Sequence, residues 1–242
     1  MNHILGIDEV GRGCLAGPVH LGGVILLESF PLHTWQYDKK QDFSSFQNLN
    51  IVRDSKKLSA KKREFVSKTI QDYKFPSLVL SASNNLIDNY GIGVCISHLL
   101  ALLVFKLLQE IDDEDFCKVL VDGQIKILNK FDRELMYKIN LENNLNVDVF
   151  ELTQYFETTN STRNRFNIVR ENKADDKYLS VALASNLAKV TRDNLMVNLG
   201  QEYPHFDWQT NKGYGTAKHR EIIKNNLDNE YLRQSFLGRV KQ

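Results

Sequence analysis

The stretch Gly6-Ile7-Asp8-Glu9-Val10-Gly11-Arg12-Gly13 follows the apolar pair Ile4-Leu5. An apolar run, two adjacent carboxylates and a glycine-rich turn read together as the end of a buried strand entering a tight loop. Successive strand side chains point to opposite faces, so Asp8 and Glu9 diverge unless the strand distorts near Gly11. One carboxylate then faces a metal directly while the other reaches it from the side. Turns rich in Gly and Asp also arise from backbone propensity alone, so this fragment by itself leaves both a metal site and a plain turn open.

Working outward, Val19 to Leu27 is rich in Val, Ile and Leu and predicts a second strand. Gly11 to Pro18 is then the tight connection of an antiparallel pair. His33 to Asn50 alternates polar and aromatic residues without a period and reads as a surface loop or insertion. Ser59 is a good N-cap for a helix to about Asp72. Leu78 to Ala82 predicts a third strand, and Asn84 to Tyr90 a turn or short helix. Ile92 to Glu110 is expected to be the longest helix, with a broad apolar face. Asp112 to Asp115 is an acidic surface loop. Lys118-Val119-Leu120-Val121-Asp122-Gly123 predicts a parallel-type strand with a carboxylate at its C-terminal end, the edge where open α/β sheets concentrate function. Val147 to Thr153 reads as a further strand. Leu179 to Leu199 predicts a long helix whose small interior residues allow close packing on a sheet. The Gly213-Tyr214-Gly215-Thr216 turn precedes a helix from about Ala217 to Leu227. No internal repeat is present, and no linker cuts off a second independent domain.

Composition bounds the partners. The chain has 242 residues, 42% hydrophobic and 25% charged, with a formal charge of +1. A nucleic-acid site must therefore be a local patch, not a global excess of positive charge. Cys14, Cys95 and Cys117 are odd in number, lack paired metal-ligand spacing, and read as reduced thiols. No plausible His base lies near Cys14 in sequence, which argues against a nucleophilic role. The N-terminus shows no basic segment followed by a long apolar stretch, so a cytoplasmic protein is expected. The greasy run Val94 to Leu108 is short of a spanning length and is interrupted by Ser97, His98 and Lys106, which favours a buried helix and no membrane association.

Acidic groups fall at three element ends: Asp8 with Glu9, Asp122, and Asp175 with Asp176. Hard cations such as Mg²⁺ take carboxylate oxygens and bind substrate phosphates. Two of them about 4 Å apart activate water and stabilise the leaving oxygen in phosphodiester cleavage. Isolated strand-end aspartates are also common by chance, and Cys and His lack the spacing of a zinc cluster. Arg12 lies between Gly11 and Gly13, where main-chain N–H groups can approach a ligand. Lys56 and Lys57 precede a helix start, a natural phosphate contact or else a solvated turn. Tyr214, in a glycine-flanked turn, offers a stacking platform or else a core residue. On the late helix, Arg192 and Asp193 read as a structural pair.

At this point the chain resembles the type 2 ribonucleases H. The resemblance rests on separated blocks kept in order: Gly6 to Gly13 with Ala16-Gly17-Pro18-Val19; Asp54-Ser55-Lys56-Lys57-Leu58; Val121-Asp122-Gly123; Lys173-Ala174-Asp175 leading to Ala184-Ser185-Asn186-Leu187-Ala188-Lys189-Val190-Thr191-Arg192-Asp193; and Gly213-Tyr214-Gly215-Thr216 with His219-Arg220. It spans residues 6 to about 236. It implies an α/β fold, a ribonuclease H-like mixed sheet flanked by helices, with a catalytic domain over 1–200 and a helical C-terminal extension over 201–242. It implies Asp8, Glu9, Asp122 and Asp175 as catalytic, metal-binding carboxylates for Mg²⁺ or Mn²⁺ in a two-metal mechanism. It further implies substrate contacts from Gly11, Arg12, Gly13, Lys56, Lys57 and Tyr214, the glycine-flanked arginine sensing a ribose 2′-hydroxyl and the tyrosine stacking on the following deoxyribose. The implied substrates are RNA–DNA hybrids and duplex DNA with single embedded ribonucleotides, cut by a monomer to leave 3′-hydroxyl and 5′-phosphate ends. The chain departs from the family at Asn186, where Ile is usual, and at the C-terminal block Leu232-Arg233-Gln234-Ser235-Phe236, which lacks its leading His.

Two other readings remain in view. Another phosphodiester-cutting enzyme on the same fold, a junction resolvase or exonuclease, differs only at the Gly11-Arg12-Gly13 loop and Tyr214. A non-catalytic hybrid-binding protein would bind without metal-dependent cleavage. A dinucleotide-binding fold fails, because the glycine spacing lacks the full fingerprint and its helix.

Overall fold

Strand β1 (Asn2–Val10) pairs antiparallel with β2 (Val19–Leu27), with Asp8 opposite Gly22 and Glu9 opposite Leu21. This hairpin is the centre of a five-stranded sheet in a computed structural model that describes residues 1–30, 49, 51–52, 55–125, 130–158 and 165–240. The 33–50 segment, except Leu49, and Asp54 lie outside those residues. Helix α1 (Ala60–Asp72) starts where Ser59 accepts from the Lys62 N–H. Strand β3 (Ser77–Ala82) runs antiparallel to β2. Ser83 then caps α2 (Asn84–Tyr90), and α3 (Ile92–Leu108) follows Gly91. Strand β4 (Phe116–Asp122) joins β1 in parallel, with Ile7 opposite Val121. Asp132 caps α4 (Arg133–Glu142), which leads to α5 (Val149–Thr158). Strand β5 (Phe166–Glu171) lies parallel to β4, giving the order β3-β2-β1-β4-β5. Helix α6 (Leu179–Glu202), the short α7 (Trp208–Asn211), α8 (Ala217–Lys224) and a 3₁₀ turn at Gln234–Arg239 complete the chain.

The sheet is covered on both faces. Leu5, Ile7, Val119 and Val121 pack with Leu99 and Leu103 of α3 and with Leu135 and Leu152 of α4 and α5. On the opposite face, Ile4 and Leu120 pack with Val181, and Val24 and Leu26 with Val66, Ile70 and Leu183, from α1 and α6. Helix α6 lies unusually close to the sheet. A Cβ on Gly6 would sit 2.2 Å from main-chain atoms of Ser180 and Val181, and one on Gly22 would sit 2.5 Å from the Ala184 carbonyl. No side chain fits at either position, so these glycines set how near α6 comes to the strand ends.

A third cluster joins Leu15, Ala16, Met196 and Leu199 to Phe206, Trp208, Ile223, Leu232 and Leu237 of the C-terminal elements. Trp208 stacks on Phe206 with ring centres 4.6 Å apart, and its Nε1 donates to His219 Nε2 at 3.0 Å. Asn186, buried on α6, donates from Nδ2 to the Ala182 carbonyl at 2.8 Å.

Three expectations are corrected. Val147 to Thr153 is not a strand: helix α5 begins at Val149, because the Asp148 carboxylate accepts from the Phe150 and Glu151 N–H groups and turns the chain into a helix. The fifth strand is instead Phe166–Glu171. The longest helix is α6 with 24 residues, whereas α3 has 17 and ends at Leu108. Among the described residues no single helix is long and apolar enough to cross a membrane.

Candidate active site

Strand alternation decides which side chains meet. In β1, Leu5 and Ile7 face α3 while Ile4 faces α6, so Asp8 falls on the α6 side. In β4, Val119 and Val121 face α3 and Leu120 faces α6, which puts Asp122 on that same side. The parallel register brings the two strand ends side by side. Asp175 arrives from the 3₁₀ turn Ala174–Asp176, between β5 and α6. One carboxylate oxygen from each of Asp8, Asp122 and Asp175 lies within 4.8 Å of the others.

The main chain and one hydroxyl hold this cluster. Asp122 accepts from the Ala174 N–H at 2.7 Å, which ties the end of β4 to the turn carrying Asp175. Asp8 accepts from the Glu9 N–H at 2.8 Å and from the Ser185 hydroxyl of α6. Ser185 Oγ is itself 3.0 Å from Ser55 Oγ, next to Lys56 and Lys57. Burial pushes the Asp8 carboxyl well above the usual carboxylate range. The Ser185 hydrogen bond opposes that rise, and the charges of Glu9, Asp122 and Asp175 add to it. Three acidic groups this close, with Asp8 and Asp175 both buried, leave a concentration of negative charge that a divalent cation with oxygen ligands neutralises.

Glu9 lies outside the three-aspartate group. Its carboxylate is 3.4 Å from Arg12 Nη1. Burial raises its pKa, Arg12 opposes that rise by charge and hydrogen bond, and the Asp122 charge adds to it. Gly11 adopts φ +85°, and nothing lies within 4 Å of where a Cβ on Gly13 would be. Arg12 is exposed between them and lines a cleft of about 300 Å³ with Val94, Ser97, Gln124 and Ile125. Lys56 and Lys57 are exposed, and Lys57 forms an ion pair with Asp176. Tyr214 is 38% exposed, so it is not a core residue. Lys189 Nζ and the Arg192 guanidinium lie 5.6 and 5.7 Å from its ring centre. Its side chain lines a second cleft of about 440 Å³ with Arg63, Lys189 and Lys212.

The expected Arg192–Asp193 pair does not form. Asp193 accepts from Lys189 at 2.5 Å and from Arg63 at 3.5 Å, while Arg192 is fully buried and donates to main-chain carbonyls. Successive helical residues point about 100° apart, so neighbours in sequence are poorly placed to pair. Cys14, Cys95 and Cys117 are buried and not bonded to one another. Burial raises the pKa of the Cys14 thiol, which disfavours the thiolate a nucleophile needs.

Comparison with known proteins agrees with this arrangement. The Ribonuclease HII family model matches residues 5–238. Ribonuclease HII of Treponema denticola is 35% identical, covering 96% of this chain and 97% of that one. Ribonuclease HII of Aliarcobacter butzleri is 32% identical, covering 98% and 91%. Among solved structures, the RNase HII in the PCNA:RNase HII complex from Archaeoglobus fulgidus superposes with a TM-score of 0.63 at 24% identity, covering 99% of this chain and 97% of that one. Ribonuclease H2 from Pyrococcus horikoshii superposes with a TM-score of 0.60 at 21% identity, covering 99% of both chains. Its mixed sheet, its acidic cluster and a family match over nearly its whole length place this chain in the ribonuclease HII family, nucleases built on a ribonuclease H-like fold.

Proposed function

We propose that the protein is a metal-dependent endonuclease that cuts the RNA strand of RNA–DNA hybrids and cuts 5′ of single ribonucleotides embedded in duplex DNA. The products are a 3′-hydroxyl and a 5′-phosphate, and the role is removal of ribonucleotides during DNA replication and repair. The observation that carries this reading is the convergence of Asp8, Asp122 and Asp175 within 4.8 Å from three separate elements.

Mg²⁺ or Mn²⁺ fits an all-carboxylate set. When bound there, such ions supply Lewis-acid activation of water and stabilisation of the leaving oxygen. Asp8, Asp122 and Asp175 would hold the cation, with Glu9 as a further carboxylate that could join them. The Ser185 hydroxyl and the Ala174 N–H fix the carboxylates of Asp8 and Asp122. Arg12 favours the ionised form of Glu9. Gly13 leaves open space for a ribose beside the main chain, while Gly11 lets the loop close on Arg192, and the 2′-hydroxyl is what separates RNA from DNA at one site. Tyr214 offers its exposed face to the next sugar. Lys56 and Lys57 meet backbone phosphates, which position the duplex without reading sequence.

The test compares three duplexes: all-DNA, DNA with one ribonucleotide, and an uninterrupted RNA–DNA hybrid. Each is incubated with Mg²⁺, with Mn²⁺ or with chelator, and products are mapped at nucleotide resolution. Cleavage 5′ of the ribonucleotide that stops with chelator is the expected result. Equal cleavage of all-DNA duplex would favour a resolvase or exonuclease, and binding without cleavage a non-catalytic hybrid-binding protein.

A further inference from the structure

Arg192 on α6 and Arg233, just before the last 3₁₀ turn, are both fully buried. Neither forms an ion pair among the described residues. Four of their donors go to main-chain carbonyls of one loop, and the buried Arg233 Nη2 has no hydrogen-bond partner among the described residues. Arg192 donates to Pro18 from Nε at 2.9 Å and to Ala16 from Nη2 at 3.1 Å. Arg233 donates to Gly17 from Nε at 2.8 Å and to Arg12 itself from Nη1 at 3.0 Å. The third bond from Arg192, Nη1 to the Lys212 carbonyl at 2.8 Å, reaches the turn that carries Tyr214.

Burying a guanidinium without a counter-charge is unfavourable, so two of them on one loop call for a reason. The planar fork gives donors in fixed directions, which a lysine cannot reproduce. Main-chain bonds follow the same route. Leu15 N–H donates to Gly213, Gly17 N–H to Tyr231, and Arg233 N–H to Leu15, each at 2.8 Å. At Gly11 a Cβ would lie 2.2 Å from Arg192 Nε, so the loop closes directly on that guanidinium. Behind Arg233 the segment is anchored to α2: Asp88 accepts from the N–H groups of Gln234 and Ser235 at 2.8 and 2.9 Å, and Asn84 donates to the Glu230 carbonyl at 2.6 Å.

We propose that Arg192 and Arg233 are positioning residues that fix the Gly11–Gly13 loop relative to Tyr214, so that the C-terminal segment sets how strictly the site selects a ribonucleotide junction. This inference rests on the substrate reading above. Neither arginine needs to touch substrate. A loop that shifts by a fraction of an ångström still binds duplex through phosphates but no longer holds the junction for attack, and small misplacements of this kind cost large factors in rate.

The experiment uses the full chain with Mg²⁺ and the variants Arg233→Lys and Asp88→Ala. For each, kcat and KM are measured on the single-ribonucleotide duplex and on the hybrid, Kd on all-DNA duplex, and thermal unfolding alongside. In Arg233→Lys, kcat/KM at the junction is expected to fall about tenfold more than on the hybrid. The loss should sit in kcat, and cut positions should spread. Asp88→Ala loosens the anchor from outside the site and should shift the same ratio in the same direction by less. It decides the matter if Arg233→Lys does not fold. Losses that run in parallel on both substrates and follow the drop in Tm would overturn the positioning role, as would an unchanged ratio in both variants. A wild-type protein that cuts neither substrate would instead overturn the nuclease reading, and the positioning role with it.

Discussion

Asp8 carries the sharpest conflict in the molecule: a buried carboxylate facing other carboxylates. Because its folded pKa is raised, its contribution to stability is full below the unfolded value and is lost as pH rises through the folded one. Metal-free Asp8→Asn should therefore be more stable than the parent at neutral pH, by about 1.4 kcal/mol for each pKa unit relieved. Its cleavage should fall by more than about 100-fold, since groups that only orient a ligand are already worth about 10- to 100-fold. Paired melting curves and rate measurements check both signs. Ser185→Ala, which removes the hydroxyl that orients Asp8, should cost about tenfold in rate with the fold intact. Mg²⁺ at about 100 times its Kd should stabilise the parent by about 2.7 kcal/mol and Asp8→Asn by less, with chelator reversing the gain. Position near element ends makes the three aspartates candidates, but it does not separate them from chance or Asp175 from Asp176; the resemblance to the type 2 ribonucleases H does that. Ser185 was not assigned a role, because its partner lies on a strand far away in sequence. Arg192 was misread for a related reason: its acceptors are main-chain carbonyls, which leave no mark in the sequence.

At the scale of elements, α6 governs the site, because it supplies Ser185, follows the turn with Asp175 and rests on Gly6 and Gly22. Gly6→Ala should destabilise by about 1–3 kcal/mol or more, since the obstacle is helix main chain that cannot rotate aside. Gly13→Ala is the matched contrast: its Cβ meets nothing, so denaturant midpoints should barely move while cleavage 5′ of a ribonucleotide falls. Equal midpoint losses in the two variants would refute this division of roles. Capped elements were easy to read, as at Ser59 and Ser83, where a side-chain oxygen meets an orphan N–H. Helix α5 was not. Seven residues with Val147, Val149 and Leu152 fit a strand or a helix about equally, and the deciding group was the Asp148 carboxylate at its start. Strand β5 escaped notice because it lies at the sheet edge, where Asn167 and Arg170 dilute its apolar pattern.

For the whole molecule, charge sets two expectations. His20 on β2 is buried beside Arg192 and Arg233, and burial first, then those charges, hold its pKa down to about 3. Below its ordinary 6.5 the unfolded chain takes a proton that the fold refuses, so this contribution is present above 6.5 and is lost as pH falls toward 3. Stability should drop by up to about 1.4 kcal/mol per pH unit there, and His20→Gln should flatten that slope. The second expectation follows from a net charge of only +1, which leaves little long-range attraction for a polyanion. Duplex affinity must then come from local cations such as Lys56 and Lys57. Each phosphate neutralised contributes about 0.9 to the slope of log K against log salt, so Lys56→Ala should flatten it by about that amount, equally on duplexes of different sequence. Lys57 is already engaged by Asp176, so its phosphate contact competes with that ion pair. Asp176→Asn should therefore tighten duplex binding at low salt, whereas Lys57→Ala should weaken it and leave an acidic group facing the strand. Binding curves for the three variants at several salt concentrations separate the cases. If Asp176→Asn weakened binding instead, Lys57 would be serving the acidic turn beside Asp175 and not the phosphate backbone.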